Sequence, residues 1–335
     1  MTARVLDAMD DVTAWVAHAP DGVTPSEELS IATDHTTAGW GADGVSVVVT
    51  ASSLASDHRL QRDLSNVDLS GFTELRISVN VDAPRAGFLL EIRLASDDLG
   101  FDDAANTWHR WIPAGPARGW TLLTVGIDDV PTQIARAATG IRLRCLAGDF
   151  RLHLDDLVAV RPQPLVDADA AMLDLLRGVE VNGTPALSAI RVPAQPVPVA
   201  PAIDIEQFDI RYAAHRLVGT PVRCDYTSDG YRECRAGLPF DLDYALRPIS
   251  LDRASQAELF EAVLARVPGD GELVINGDRA PIQLITMSGT DRIGGVVGDA
   301  PTLVYRVGVR SPAVRSQRVV RVDHIDVGVD LRDAS

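Results

Sequence analysis

Short runs that alternate apolar and polar residues recur through the first 160 positions. A period of two allows one outcome, strands with one wet face and one buried face. Leu75-Arg-Ile-Ser-Val-Asn-Val81, Phe88-Leu-Leu-Glu-Ile-Arg-Leu94 and Ile141-Arg-Leu-Arg-Cys145 alternate in this way. Val45–Thr50 is rich in β-branched residues, and Trp120–Val125 is a further apolar run. Phe150-Arg-Leu-His-Leu154 opens a final strand that ends Leu157-Val-Ala-Val160. Gly, Asp and Pro turns separate these runs, and no long helical period intervenes. The pattern predicts an all-β jelly-roll sandwich.

The aromatic residues then divide the chain. All five Trp lie before residue 121 and all five Tyr after residue 211, which predicts two differently built cores. Arg161-Pro-Gln-Pro breaks the β pattern, and a helical stretch follows from Asp167 to Arg177 with Ala171, Met172, Leu175 and Leu176 on one face. Residues 192–201 hold four prolines in ten positions, a spacer or an arm of polyproline geometry. The expected division is a sandwich over 1–162, a helix and Pro-rich arm over 163–201, and an α+β domain over 202–335.

Within that last part, Phe240–Leu246 alternates as a strand. Ser250–Val267 reads as the main helix, with Ser255 as cap, Glu258 in capping-box spacing, and Leu259, Phe260, Val263, Leu264 and Val267 as its apolar stripe. Glu272–Ile275 and Ile282–Ile285 are expected as strands joined at Asn276-Gly277. Thr302–Val309 and Arg318–Val329 are expected to form a C-terminal hairpin about Ser311-Pro312. This predicts a mixed or antiparallel sheet carrying one helix.

Composition excludes several function classes. The net charge is −16 and all 31 basic residues are Arg, so no general nucleic-acid surface is expected. The densest basic run, Arg306, Arg310, Arg315, Arg318 and Arg321, is expected on the solvated edge of the hairpin. No apolar window is long enough to span a membrane, and the N-terminus has no signal-peptide pattern. Cys145, Cys224 and Cys234 give neither a disulfide framework nor a zinc site. Cys224 and Cys234 lie within reach across a hairpin, but reduced thiols are the expectation. No nucleophile elbow, HExxH, Walker loop or kinase set is present, so no catalysis is expected.

The first 160 residues resemble carbohydrate-binding modules of the galactose-binding-like β-sandwich type. The carriers are Asp68-Leu-Ser-Gly-Phe-Thr-Glu-Leu-Arg-Ile-Ser-Val, Gly119-Trp-Thr-Leu-Leu-Thr-Val, and Thr139-Gly-Ile-Arg-Leu followed by Phe150-Arg-Leu-His-Leu-Asp-Asp-Leu-Val-Ala-Val. The resemblance implies a structural Ca²⁺ held by Asp155 and Asp156 with partners among Asp7, Asp10 and Asp11; a solvated Asp-Asp bulge is the other reading. It also implies sugar stacking on exposed aromatics. The candidates are Trp40, Trp108 and Trp111, with Asp102 beside them and Asp97, Asp98 and Asp103 in the same loop. Trp108 and Trp111 are three apart and face opposite sides of a strand, so at least one is expected in the core. Trp120 matches a core position of the family.

The second half resembles tail-terminator and cap-like neck proteins of tailed viruses and contractile injection particles. Leu238-Pro-Phe-Asp-Leu-Asp-Tyr-Ala-Leu-Arg-Pro-Ile-Ser, the helix after it and Gly271-Glu-Leu-Val-Ile-Asn carry the likeness. It implies a homo-oligomeric ring that joins other virion tail or neck proteins, with Pro239, Phe240 and Tyr244 as assembly candidates. A virion location would need no export signal. A polysaccharide-binding protein using the sandwich is the competing expectation.

Overall fold

The computed structural model describes residues 2–37, 44–83, 89–96, 101, 103, 105–113, 119–145, 148–191, 198–219, 222–227, 230–288, 301–316 and 319–320. Its first strands are β1 Ala3–Asp7, β2 Trp15–His18, β3 Leu29–Asp34, β4 Ser46–Ala51, β5 Arg59–Val67 and β6 Glu74–Val81. They continue with β7 Leu89–Ala95, β8 Thr107–Pro113, β9 Thr121–Gly126, β10 Ala138–Cys145 and β11 Phe150–Val160, with a short helix α1, Thr132–Arg136, before β10. One sheet runs β3-β4-β11-β6-β9, with β1 beside β11. The other runs β2-β5-β10-β7-β8. The alternating runs turn their apolar side chains between the two sheets. Leu75, Ile77, Leu94, Val125 and Ile141 are fully buried in that one cluster.

The chain continues through α2 Pro164–Leu175, β12 Glu180–Val181, β13 Thr184–Pro185, β14 Leu187–Ile190 and β15 Ala202–Tyr212. Then come β16 Val222–Thr227, β17 Gly230–Arg235, β18 Pro239–Ile249, α3 Arg253–Arg266, β19 Asp270–Ile275, β20 Asp278–Ser288, β21 Thr302–Arg310, β22 Val314–Arg315 and β23 Val319–Val320. A six-stranded sheet, β14-β15-β18-β21-β20-β19, carries α2 and α3. Its apolar residues form a second cluster with Met172, Leu176, Tyr244, Leu259, Val263 and Tyr305 fully buried.

Three expectations change here. Among the described residues the C-terminal hairpin does not form: β21 lies between β18 and β20, and the chain beyond it leaves to pair with β17 as β22 and β23. Gly237 and Leu238 explain the departure, since the Leu238 amide donates to Ser311 Oγ at 2.9 Å and the Ser311 amide to the Leu238 carbonyl, also at 2.9 Å. Residues beyond 320, which hold most of the expected second hairpin strand, lie outside the described residues. The cap of α3 is Asp252, three residues before Ser255. Its carboxylate accepts from the Ser255 amide at 2.9 Å and from the Ser255 hydroxyl at 2.7 Å. Glu258 accepts from the Asn182 amide instead of closing a capping box. The thiol expectation also fails. The β16–β17 hairpin brings the Cα atoms of Cys224 and Cys234 to 5.9 Å, and they form a disulfide.

Replacing Asp252 by Ala removes the acceptor from the first turn of α3, and we expect a loss of about 1 kcal/mol, read as a lower urea midpoint at unchanged slope.

Candidate functional site

The sheet that contains β8 does not end at β8. Tyr226 of β16 pairs with Trp111, and the sheet continues through β16 and β17 to β22. The sandwich and the disulfide hairpin therefore share one surface. On the side away from the core, directly paired residues form rows. Trp111 faces Glu91 of β7, and Glu91 faces Arg144 of β10. His109 faces Arg93, and Arg93 faces Arg142. Tyr226 extends the first row, and the Tyr231 ring lies 6.1 Å from it, centroid to centroid. Three half-buried aromatics, Trp111, Tyr226 and Tyr231, thus stand in line across the join.

Charge pairing fixes this row. Glu91 is 2% exposed and accepts from the Trp111 indole N–H at 3.0 Å, from Arg93 Nε at 2.8 Å and from Arg144. Burial pushes its carboxyl up, but Arg93 and Arg144 outweigh that and hold it below the ordinary range. Burial lowers His109; Glu91 opposes this and the neighbouring guanidiniums add to it, so its imidazole is neutral at pH 7. One end of the face is closed. Phe101 lies 3% exposed under the Arg142 guanidinium, 4.3 Å from its ring centroid, and a Cβ at Gly140 would meet the Phe101 ring at 2.8 Å. The open part is the stretch from Arg144 to Tyr231.

The hairpin is held by buried charge as well. Asp225, 1% exposed and at φ 47°, accepts from the Gly126 amide at 3.0 Å and from Arg315 Nε at 3.1 Å. Arg315 reaches on to Glu74 Oε1 at 3.0 Å. Arg232 pairs with Asp128 at 2.7 Å and Asp129 at 3.0 Å, and Asp129 also accepts from Trp108 Nε1 at 3.1 Å. Burial raises the Asp225 carboxyl, with the Gly126 amide, Arg315, Arg232 and Arg110 opposing.

The residues singled out in the sequence fare differently. Trp108 is 6% exposed within the sandwich core and is not available to a sugar face. Trp111 is on the outer face. Trp40, Asp102, Asp97 and Asp98 lie outside the described residues, and Asp103 caps its own turn by accepting from the Ala105 amide. Trp120 is half-buried against His153, 6.3 Å between ring centroids, rather than in the core. Pro239 opens β18 as a strand-start proline, but it is buried. Tyr244 is fully buried with its hydroxyl donating to Asp169 at 2.8 Å, and Phe240 packs on the same cluster. All three assembly candidates are packing residues. Of the arginines expected on a solvated edge, three are engaged, Arg306 with Asp243, Arg310 with two backbone carbonyls and Arg315 with Asp225, and Arg318 and Arg321 lie outside the described residues. Tyr226 and Tyr231 were not among the expected site residues; their place between two cysteines that lie within reach across a hairpin was their only signal.

Asp155 is fully buried, and Asp156 follows it on a β-bulge at φ 42°. The Asp156 carboxyl is pushed up to about 6 by burial, then by the nearby negative charges of Asp155 and Asp10. Asp7 is engaged elsewhere, accepting from the Met9 amide and the Trp15 indole and pairing with Arg62. Asp11 caps Thr13. The mutual repulsion of Asp10, Asp155 and Asp156 suits a hard cation. They do not form a tight three-carboxylate cage. Among the described residues, the group whose donor atoms all lie within 4.8 Å of one another is Cys224, Asp225 and Cys234, and the disulfide consumes its sulfurs.

The first 160 residues thus define a two-sheet β-sandwich. No family model matches the chain, and no curated protein matches it in sequence. Among solved structures, a family 11 carbohydrate-binding module from Clostridium thermocellum, in complex with a β-1,3-1,4-mixed-linked tetrasaccharide, is similar over 48% of this chain and 96% of that one, at 12% identity and a TM-score of 0.35. The CBM22-1 and GH10 modules of a xylanase from Clostridium thermocellum, complexed with xylohexaose, match 49% of this chain and 29% of theirs at 12% identity and a TM-score of 0.34. The enzymatically active domain of tailspike protein 4 of bacteriophage CBA120 matches 46% of this chain and 20% of its own at 11% identity and a TM-score of 0.32.

Two outcomes are expected. Asp225→Ala leaves the Gly126 amide without its acceptor and Arg315 with Glu74 alone, and should cost about 3 kcal/mol in denaturant unfolding. For Asp156, the folded pKa of about 6 lies above the unfolded value of about 3.9. The folded chain binds more protons between these values, so stability falls as pH rises from about 4 to about 6, and the penalty persists above. Asp156→Asn should therefore stabilise at pH 7 by on the order of 1 kcal/mol, a figure discounted for partial solvent exposure, with no gain below about pH 4. Thermal melts across pH check this, and millimolar Ca²⁺ should reverse the order of the two proteins if the carboxylates hold the ion.

Proposed function

We propose that this protein is a non-catalytic binder of polysaccharide, with the sugar chain lying along Trp111, Tyr226 and Tyr231. The observation that supports this is the aromatic line on an open sheet face. Pyranose rings present C–H faces that stack on such side chains, and their hydroxyls need the donors and acceptors that flank the line. Arg144 and Arg93 donate, and the neutral His109 both donates and accepts. Glu91 is already committed to its partners and serves to orient Trp111. On this reading residues 1–162 are a carbohydrate-binding-module-like sandwich, 163–201 a helix and Pro-rich arm, and 202–335 a domain that supplies part of the binding face. Ca²⁺, where bound, is structural and held by Asp156 with Asp155 and Asp10.

A second reading, a tail or neck ring subunit of a virion, is favoured by one feature. Phe208, Ile210 and Tyr212 alternate on one face of β15 and are 37%, 53% and 59% exposed. Such an apolar stripe suits contact with a second copy or another virion protein.

Binding is tested on a glycan array and then by titration of the best glycan. Trp111→Ala should weaken it about tenfold, taking 1–2 kcal/mol per stacked ring by analogy with base stacking. Silence across the array would remove the binding reading. Light scattering on the full chain tests the second: a closed oligomer that Ile210→Arg breaks supports ring assembly, and a monomer at all concentrations counts against it.

A further inference from the structure

The sheet that carries α2 and α3 is open along part of one edge. β14 covers β15 only from Ala202 to Ile205. Among the described residues no strand pairs with that side of β15 from Glu206 to Tyr212, while β18 holds the other side to its end. The Ala213 amide donates to the Pro239 carbonyl of β18 at 3.0 Å, so by alternation Ile210 and Tyr212 turn their amides to the open side. There the Ile210 amide donates to the carboxylate of its own neighbour, Asp209, at 2.9 Å.

The same stretch carries core chemistry without a cover. Ile210 pairs with Leu242 and Tyr212 with Phe240, and paired residues share a face. Leu242 is fully buried in the second cluster and Phe240 packs against it. Ile210 and Tyr212 therefore lie on the core face of the sheet, yet both are more than half exposed, and Phe208, at a bulge between Gln207 and Asp209, is exposed as well. A bare edge with an apolar face is a template for another strand.

We propose that two copies of this chain join edge to edge, β15 antiparallel to β15, about a two-fold axis at Ile210. The order of the side chains selects both the occupant and the register. Phe208-Asp209-Ile210-Arg211-Tyr212 reads aromatic, acid, isoleucine, base, aromatic. Laid antiparallel on itself about Ile210, it sets Phe208 against the partner's Tyr212, Asp209 against the partner's Arg211, and Ile210 against itself. Aromatic, opposite-charge and β-branched pairs of this kind stabilise a ladder. Centring on Asp209 or Arg211 sets like charges face to face, and a slip of one residue sets the apolar face against charges. Asp209 and Arg211 already pair along the strand at 2.6 Å, and Arg211 also reaches Asp243 at 3.2 Å. The contact therefore needs no free charge; it needs only that like charges do not meet. The Ile210 carbonyl of the second copy takes the place of the Asp209 carboxylate at the amide, and that carboxylate turns to the facing arginine. Such a contact is isologous and closes at two copies, so it makes a pair and not the ring of the second reading. It is independent of the binding proposed at the aromatic line.

Sedimentation velocity of the full chain over a range of concentrations tests it. The chain should run as monomer and dimer with nothing larger. Arg211→Asp and Asp209→Arg each place like charges opposite one another twice across the axis, and each should weaken the dimer about tenfold with an unchanged thermal melt. The double variant, Asp209→Arg with Arg211→Asp, restores opposed charges and should return the dimer to within about threefold of the parent. Recovery of this kind would not follow if the stripe were merely adhesive. Trp111→Ala should leave the dimer unchanged, whatever the glycan array reports, which separates this contact from the glycan face. A monomer at every concentration, a closed assembly of three or more copies, indifference to both single reversals, or a double variant no better than the singles would overturn the proposal.

Discussion

The rest of the structure depends on a carboxylate that is almost wholly out of water. Asp225 belongs to the second half of the chain, yet it accepts from the Gly126 amide of the sandwich and pairs with Arg315, which in turn pairs with Glu74. A buried charge is tolerable only when its neighbours are fixed around it. That requirement sets the hairpin against the sandwich, brings Tyr226 beside Trp111, and draws the chain after β21 across to β17.

The same solution recurs. Every basic residue is Arg, and guanidiniums grip buried carboxylates in pairs. Arg93 and Arg144 hold Glu91, Arg191 and Arg247 hold Asp204, and Arg211 and Arg306 hold Asp243. A lysine offers one compact point of charge and no planar fork, so it could not make the forked contacts seen at Asp243. In an acidic chain, the arginines serve the interior more than any polyanionic partner.

Much of the sandwich was legible because its strands obey a strict period. Leu75–Val81, Ile141–Cys145 and Phe150–Val160 could pack in no other way. β5 was not legible, because Arg-Leu-Gln-Arg-Asp-Leu-Ser-Asn-Val carries polar residues where it faces the crowded outer surface. Asp252 and Ser255 both suit a cap, and only backbone geometry chose between them. Tyr244 in Phe-Asp-Leu-Asp-Tyr was an assembly candidate through the resemblance alone, since alternation says which residues share a face and not which face is covered. The aromatic line was beyond sequence reasoning, since Trp111 and Tyr226 are far apart in the chain and meet through one bridge.

That single bridge bears on how the protein can be divided. Composition suggests a seam near residue 162, and the apolar side chains do bury in two clusters. The hydrogen-bonded sheet ignores that seam and runs from β2 to β23 through both. A sandwich separated at the seam would keep its core and lose the strand beside β8, baring that edge at Trp111. The second half therefore serves the first as the cover of an edge.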